Sequence, residues 1–145
     1  MTNAKDLTKE APRSPRTRIG GYAILGRTID KGRAAINNTL GDYHFDCPLD
    51  NMLFGFKDVK GSDFKKVLEE GKSDQEIVSW LDAHGSKQSP EAIKVWADKV
   101  EGVRPYEDPE KKEWFAGVCK DVGIDPAKNT LFDFLEADDR QSFKK

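Results

Sequence analysis

The sequence predicts an all-α protein: a single-domain bundle of six or seven mostly short helices behind an irregular N-terminal arm. Three observations carry this expectation. Trp and Phe residues recur at spacings of three and four, the period of one helix face. Start signals such as Ser73-Asp74-Gln75-Glu76 and Ser89-Pro90-Glu91 precede apolar runs that stop at Gly85 and Gly102. No stretch alternates β-branched and polar residues with the period of a half-buried strand.

The domain division expected is an irregular basic arm over residues 1–18 and one helical domain over 19–145. Pro12 and Pro15 push Ala11 and Ser14 toward extended geometry, which keeps the arm from being helical. The first helix is expected from about Gly21 to Asn38. Its apolar residues Tyr22, Leu25, Ile29, Ile36 and Leu40 form a narrow stripe. Arg33 falls inside that stripe, Asp30 sits at the i, i+3 spacing that would let the two pair, and Lys31 projects to the opposite side. Gly26 and Gly32 border the stripe and suggest close approach of a backbone or a ligand.

Gly41 stops this helix, and Gly41 to Asp50 forms a connector crowded with Tyr43, His44, Asp46 and Cys47. A compact apolar turn or short helix follows over Leu49–Phe56, then a helical segment from Ser62 to about Glu70. The Ser73 capping box starts a helix carrying Ile77, Trp80, Leu81 and His84, with His84 read as an edge histidine whose hydrogen bonds are met. Ser89-Pro90 opens the next, with Ile93, Trp96 and Val100 inward. Asp108-Pro109-Glu110 starts a helix to Val122 that buries Trp114, Phe115, Val118, Cys119 and Val122. The last begins near Thr130, with Leu131, Phe132 and Leu135 inward and its acidic residues outside.

The charged fraction is 34%, yet the 37% hydrophobic share includes three Trp and eight Phe, which argues against disorder. Residues 1–41 carry a net charge of +5 and residues 42–145 a net charge of −7. A basic head therefore lies on an acidic body or meets an anion. Two cysteines are too few for a disulfide framework. No apolar run approaches the roughly eighteen residues of a membrane helix, and the sequence shows no charged-then-apolar leader pattern, so a cytoplasmic protein is expected.

The motifs Asp6-Leu7-Thr8-Lys9, Arg13-Ser14-Pro15-Arg16, Ile29-Asp30-Lys31-Gly32-Arg33-Ala34 and Tyr43-His44-Phe45-Asp46-Cys47-Pro48-Leu49-Asp50 stand out together. With Trp80, Trp96 and the closing Phe132–Asp139 run, they resemble the bacterial domain-of-unknown-function family numbered 5069, over essentially the whole chain. Gly26 stands where such proteins carry Pro, so the first helix is expected to start or bend differently. The resemblance implies a bacterial, cytoplasmic, single-domain protein and brings no activity, substrate or catalytic residue.

Three functional readings follow from the residues. In the first, a binding or regulatory module uses Arg13, Arg16, Lys31 and Arg33, with Asp30 beside them, to meet an anionic small molecule or an acidic protein surface. Nucleic acid fits poorly, because the −7 body repels a duplex, and no membrane partner is expected. In the second, an enzyme combines Asp30, Arg33, Tyr43, His44, Asp46 and Cys47, with His44 as base and Cys47 as nucleophile. A metal site is not expected, because His44 and Cys47 lack a second ligand pair, and no cofactor is implied. In the third, the same residues form a buried polar network that fixes the arm to the bundle.

Overall fold

A computed structural model describes residues 4–143; residues 1–3 of the arm and the last two of the chain lie outside it. Among the described residues the chain forms seven α-helices: α1 Leu25–Ile36, α2 Pro48–Lys57, α3 Gly61–Glu69, α4 Asp74–Ala83, α5 Pro90–Glu101, α6 Lys112–Val122 and α7 Leu131–Ser142. Single 3-10 turns at Pro105–Glu107 and Pro126–Lys128 precede α6 and α7. None of these helices is long and apolar enough to cross a membrane.

Helix α1 is the axis of the fold. Every residue from Leu25 to Ala34 is buried, including Arg27, Thr28, Asp30, Lys31 and Arg33. The narrow stripe expected from periodicity therefore describes only one side of a helix enclosed all round. Its ionic side chains cannot reach water, so each must find its partner inside the protein.

The helix begins at Leu25, later than the expected Gly21. Gly20 and Gly21 adopt positive φ, and the backbones of Ile19 and Tyr22 exchange hydrogen bonds of 3.1 and 3.0 Å across them. That tight turn uses the conformations glycine reaches without a Cβ clash. Ile24 follows with φ +73°, a left-handed conformation uncommon for a β-branched residue. Its N–H donates to the Pro15 carbonyl at 2.8 Å, so the arm holds the strained residue in place.

The described residues of the arm form no helix and are wound onto the bundle. Leu7, Pro12 and Pro15 are buried, and the Leu7 N–H donates to the Thr39 carbonyl at 2.9 Å. Glycine 26 lies beneath the arm, where a Cβ would come within 3.2 Å of the Arg13 Nε. Gly32 sits against Leu68 and Phe45. The close neighbours of both glycines are side chains rather than another backbone.

The main core gathers α1 to α5 and Phe132 of α7 around Tyr22, Ile29, Leu53, Phe54, Phe64 and Leu81. A second cluster joins α6 to α7 through Phe115, Cys119 and Phe134. Capping boxes at Ser73–Glu76 and Thr130–Asp133 start α4 and α7. Helix α6 starts at Lys112, not Asp108, because the Asp108 carbonyl and side chain take the N–H groups of Lys111, Lys112 and Glu110 into a turn. His84 stacks on Trp80 and bonds its carbonyl at 2.8 Å through Nδ1, which satisfies it at the helix edge.

Candidate functional site

The polar residues of α1 sort into three groups, each closed by a different neighbour. On one side Asp30 accepts from the Arg13 backbone N–H at 2.8 Å and from its guanidinium Nε and Nη2 at 3.1 Å. Arg13 also donates to Asp74 at 2.8 Å, and Arg33 donates to the other Asp74 oxygen at 3.0 Å. The chain Asp30–Arg13–Asp74–Arg33 alternates in sign and ties the arm, α1 and the start of α4 together. The local Asp30–Arg33 pair suggested by spacing is not formed: Asp30 turns to the arm, and Arg33 turns to Asp74 and the Lys72 carbonyl. Burial opposes ionisation of Asp74, but its hydrogen bonds from Arg13 and Arg33 outweigh that and hold the carboxyl below its ordinary range.

The second group joins α1 to α7. Arg27 donates to both oxygens of Asp139, at 2.7 and 3.0 Å. The Tyr43 hydroxyl donates to the same carboxylate at 2.8 Å, and the guanidinium lies 5.5 Å from the centre of the Tyr43 ring. The expectation that the acidic residues of α7 stay outside is thereby corrected. Asp139 is buried, while Asp133 and Glu136 turn to Arg16, which reaches Asp133 at 2.8 Å.

The third group faces α2. Lys31 is buried on what periodicity marked as the far side, because α2 covers that side too. Its Nζ lies 3.0 Å from an oxygen of Asp50 and 3.2 Å from the Cys47 Sγ. Asp50 is fully buried and also accepts from the Thr28 hydroxyl at 2.7 Å and the Asp46 N–H at 2.9 Å. The polar site is therefore stoichiometric: four cations (Arg13, Arg27, Lys31, Arg33) meet four carboxylates (Asp30, Asp50, Asp74, Asp139). Among the described residues no buried side-chain polar atom is left without a partner.

The residues proposed for an enzyme do not converge. Asp30 and Arg33 serve the arm side, Tyr43 serves Asp139, and Cys47 serves the α2 side. His44 and Asp46 are exposed, and Asp46 takes up Asn51 at 3.0 Å. Among the described residues no three His, Cys, Asp or Glu side chains are grouped to hold a metal ion.

A concave feature lies elsewhere. A groove of about 560 Å³ is walled by Cys47, Pro48, Leu49 and Met52 from α2 and its cap, Val103 and Pro105, and Trp114, Leu131, Phe134 and Leu135 from α6 and α7. Glu110 and Lys111 stand at its edge. Trp114, expected in the core, is 50% exposed and forms part of this wall, since the short α6–α7 pair buries only Phe115 and Cys119 of α6.

Residues 9–141 match the family described as Domain of unknown function (DUF5069). The chain belongs to that family. No protein of curated function matches it. The match takes in both the polar network along α1 and every wall of the groove, so in this DUF5069 chain both belong to the family domain. Reading the sequence found the first through its odd residue choices. It missed the groove, whose walls are ordinary apolar residues from four separate segments.

The network predicts a pH dependence. Burial and the Asp82 carboxylate, 2.7 Å away, push the Tyr22 hydroxyl up from the ordinary phenol value of 10.0; burial and Asp139 do the same to Tyr43. Above pH 10 the unfolded chain sheds these protons while the folded protein keeps them, so the folded state binds more protons and stability falls as pH rises. Each withheld ionisation weakens folding by up to about 1.4 kcal/mol per pH unit. Denaturant unfolding between neutral pH and alkali should show this decline, and Tyr22→Phe should flatten it.

Proposed function

We propose that this protein is a bacterial, cytoplasmic binding module whose site is the apolar groove between the start of α2, the Val103–Pro105 connection, α6 and α7. The ligand presents an apolar body to the wall and a polar end to Glu110 and Lys111. One observation carries the reading: a concave, almost wholly apolar surface that includes a half-exposed tryptophan. Its volume, about 560 Å³, lies within the roughly 300–1,000 Å³ of small-molecule sites. Covering such an apolar wall with an apolar ligand releases water from it, and that release favours binding.

The arginine-centred reading has less support. Arg13, Arg16, Arg27 and Arg33 each donate to carboxylates of the protein, so an anion entering there must displace partners already in place. The network is better read as the frame that holds the arm and α2, and hence one wall of the groove.

Titration with a polarity-sensitive naphthalenesulfonate dye and with medium-chain alcohols tests the proposal. Bound at 100 times its dissociation constant, a ligand raises stability by about 2.7 kcal/mol, and Trp114→Ala should remove most of that gain. If apolar probes leave the protein unchanged while inorganic phosphate stabilises it, and Arg16→Ala abolishes that effect, the site is the arginine cluster instead.

A further inference from the structure

A second cavity, of about 350 Å³, opens where the end of α7 meets the arm and the connector after α1. Leu7 and Thr8 of the arm, Asp42 and Tyr43 of the connector, and Asp138 and Phe143 from the end of α7 line it. It shares no residue with the apolar groove, and its lining is mainly polar. The arm closes directly on it: a Cβ at Gly41, also in the lining, would come within 2.9 Å of the Leu7 carbonyl oxygen.

The charges here are not balanced as they are along α1. Asp138 is half-buried, and nothing among the described residues donates a hydrogen bond to it. Arg27, the cation that eases its charge, is committed to Asp139. Burial, and then the Asp139 carboxylate, push the Asp138 carboxyl up from its ordinary value. Asp42 adds an exposed carboxylate. The last carbonyls of α7 lack intrahelical partners and form the negative end of that helix. Aromatic surface lies beside this negative potential. The Tyr43 and Phe143 rings are 7° from parallel with centroids 6.4 Å apart, and Tyr43 already holds the Arg27 guanidinium 5.5 Å from its ring centre.

We infer that this pocket binds a small organic cation, a guanidinium or primary ammonium on a short apolar stem. The inference is independent of the groove reading. Carboxylates meet such a head group through charge-assisted hydrogen bonds, and aromatic faces attract it as well. Leu7 and Phe143 offer the stem apolar surface that a bare ion would not use. The volume is sufficient, since small-molecule sites start at roughly 300 Å³. A divalent metal ion suits the lining poorly: it takes six or more oxygens, and no three His, Cys, Asp or Glu side chains among the described residues are grouped to hold one.

The probes are n-butylguanidinium and n-butylammonium, with neutral n-butylurea as the isosteric control, titrated calorimetrically at constant ionic strength. Either cation should bind and raise the melting temperature, and the urea should do neither. Asp138→Asn removes a charge that no cation of the protein pairs with, so the variant should fold. It should weaken cation binding by about tenfold or more, the worth of one charge-assisted hydrogen bond. Phe143→Ala should weaken it too, and Trp114→Ala, in the groove, should leave it unchanged. Butylurea binding as tightly as the cations, or undiminished affinity in Asp138→Asn, overturns the inference. No binding of either cation overturns it as well, and the groove reading then stands or falls on its own dye titration. Binding that appears only after Lys144 and Lys145 are removed overturns it too, by making those lysines the cations that the pocket meets.

Discussion

Replacing Asp139 by Ala lowers the free energy of unfolding by about 3–5 kcal/mol and the melting temperature by roughly 6–20 °C. Asp139 is the carboxylate paired with Arg27, whose side chain is 3% exposed, and it takes two guanidinium hydrogen bonds at 2.7 and 3.0 Å. Removing it leaves a charge with neither water nor a counter-ion, and that desolvation cost is the dominant effect. The Tyr43 hydroxyl loses its acceptor as well. The origin of the loss can be separated. Arg27→Met combined with Asp139→Leu removes the stranded charge and should recover most of the stability, leaving the cost of the Tyr43 hydroxyl. Chemical denaturation of wild type, single and double variants measures the cycle. A single variant as stable as wild type would show that the pair contributes nothing.

That the loss is so large at a position near the end of the chain shows what sequence spacing can and cannot reveal. Helix identity was legible because it is local. The Ser73–Glu76 box, the Ser89-Pro90 start and the glycine stops are each decided by residues within one turn. The abnormality of Arg13–Asp50 was legible too, since charges inside an apolar stripe must be paired somewhere. Their partners were not. Arg27 meets Asp139, 112 residues on, and Arg13 meets Asp74, 61 residues on. Spacing offered Asp30 and Arg33 to each other, but a helix enclosed all round gives each its own neighbour, and the tertiary contact wins.

The groove failed to show for a related reason. Periodicity places Trp114 on the same face as Phe115, Val118 and Val122, and that face is apolar. How much of it becomes buried depends on the width of the opposing surface, which a single helix cannot report. Helix α7 covers Phe115 and Cys119 and leaves Trp114 at the margin, beside Leu131 and Phe134. An exposed aromatic at that margin is the mark of a core that α7 covers only in part.

Asp50→Ala should be as costly as Asp139→Ala, about 3–5 kcal/mol, for a reason that two further variants can isolate. Asp50 does two things at once. It neutralises Lys31 at 3.0 Å, and as the third residue of α2 it takes the backbone N–H groups of Asp46 at 2.9 Å and Cys47 at 3.3 Å. Loss of a helix cap costs about 1 kcal/mol, whereas a stranded ammonium at 4% exposure costs several times that, so the charge should dominate. Asp50→Asn keeps an oxygen for the backbone but no charge for Lys31. It should therefore lose nearly as much as Asp50→Ala, and adding Lys31→Met to Asp50→Asn should restore most of the difference. Full stability in Asp50→Asn alone would reverse the order, making the cap the principal contribution and the buried lysine a minor one. Because Lys31 and Asp50 hold Cys47 against the groove, the same variants should loosen that wall. Where Asp50→Asn still folds, dye binding should weaken in step with the lost stability, since the network and the groove share the start of α2.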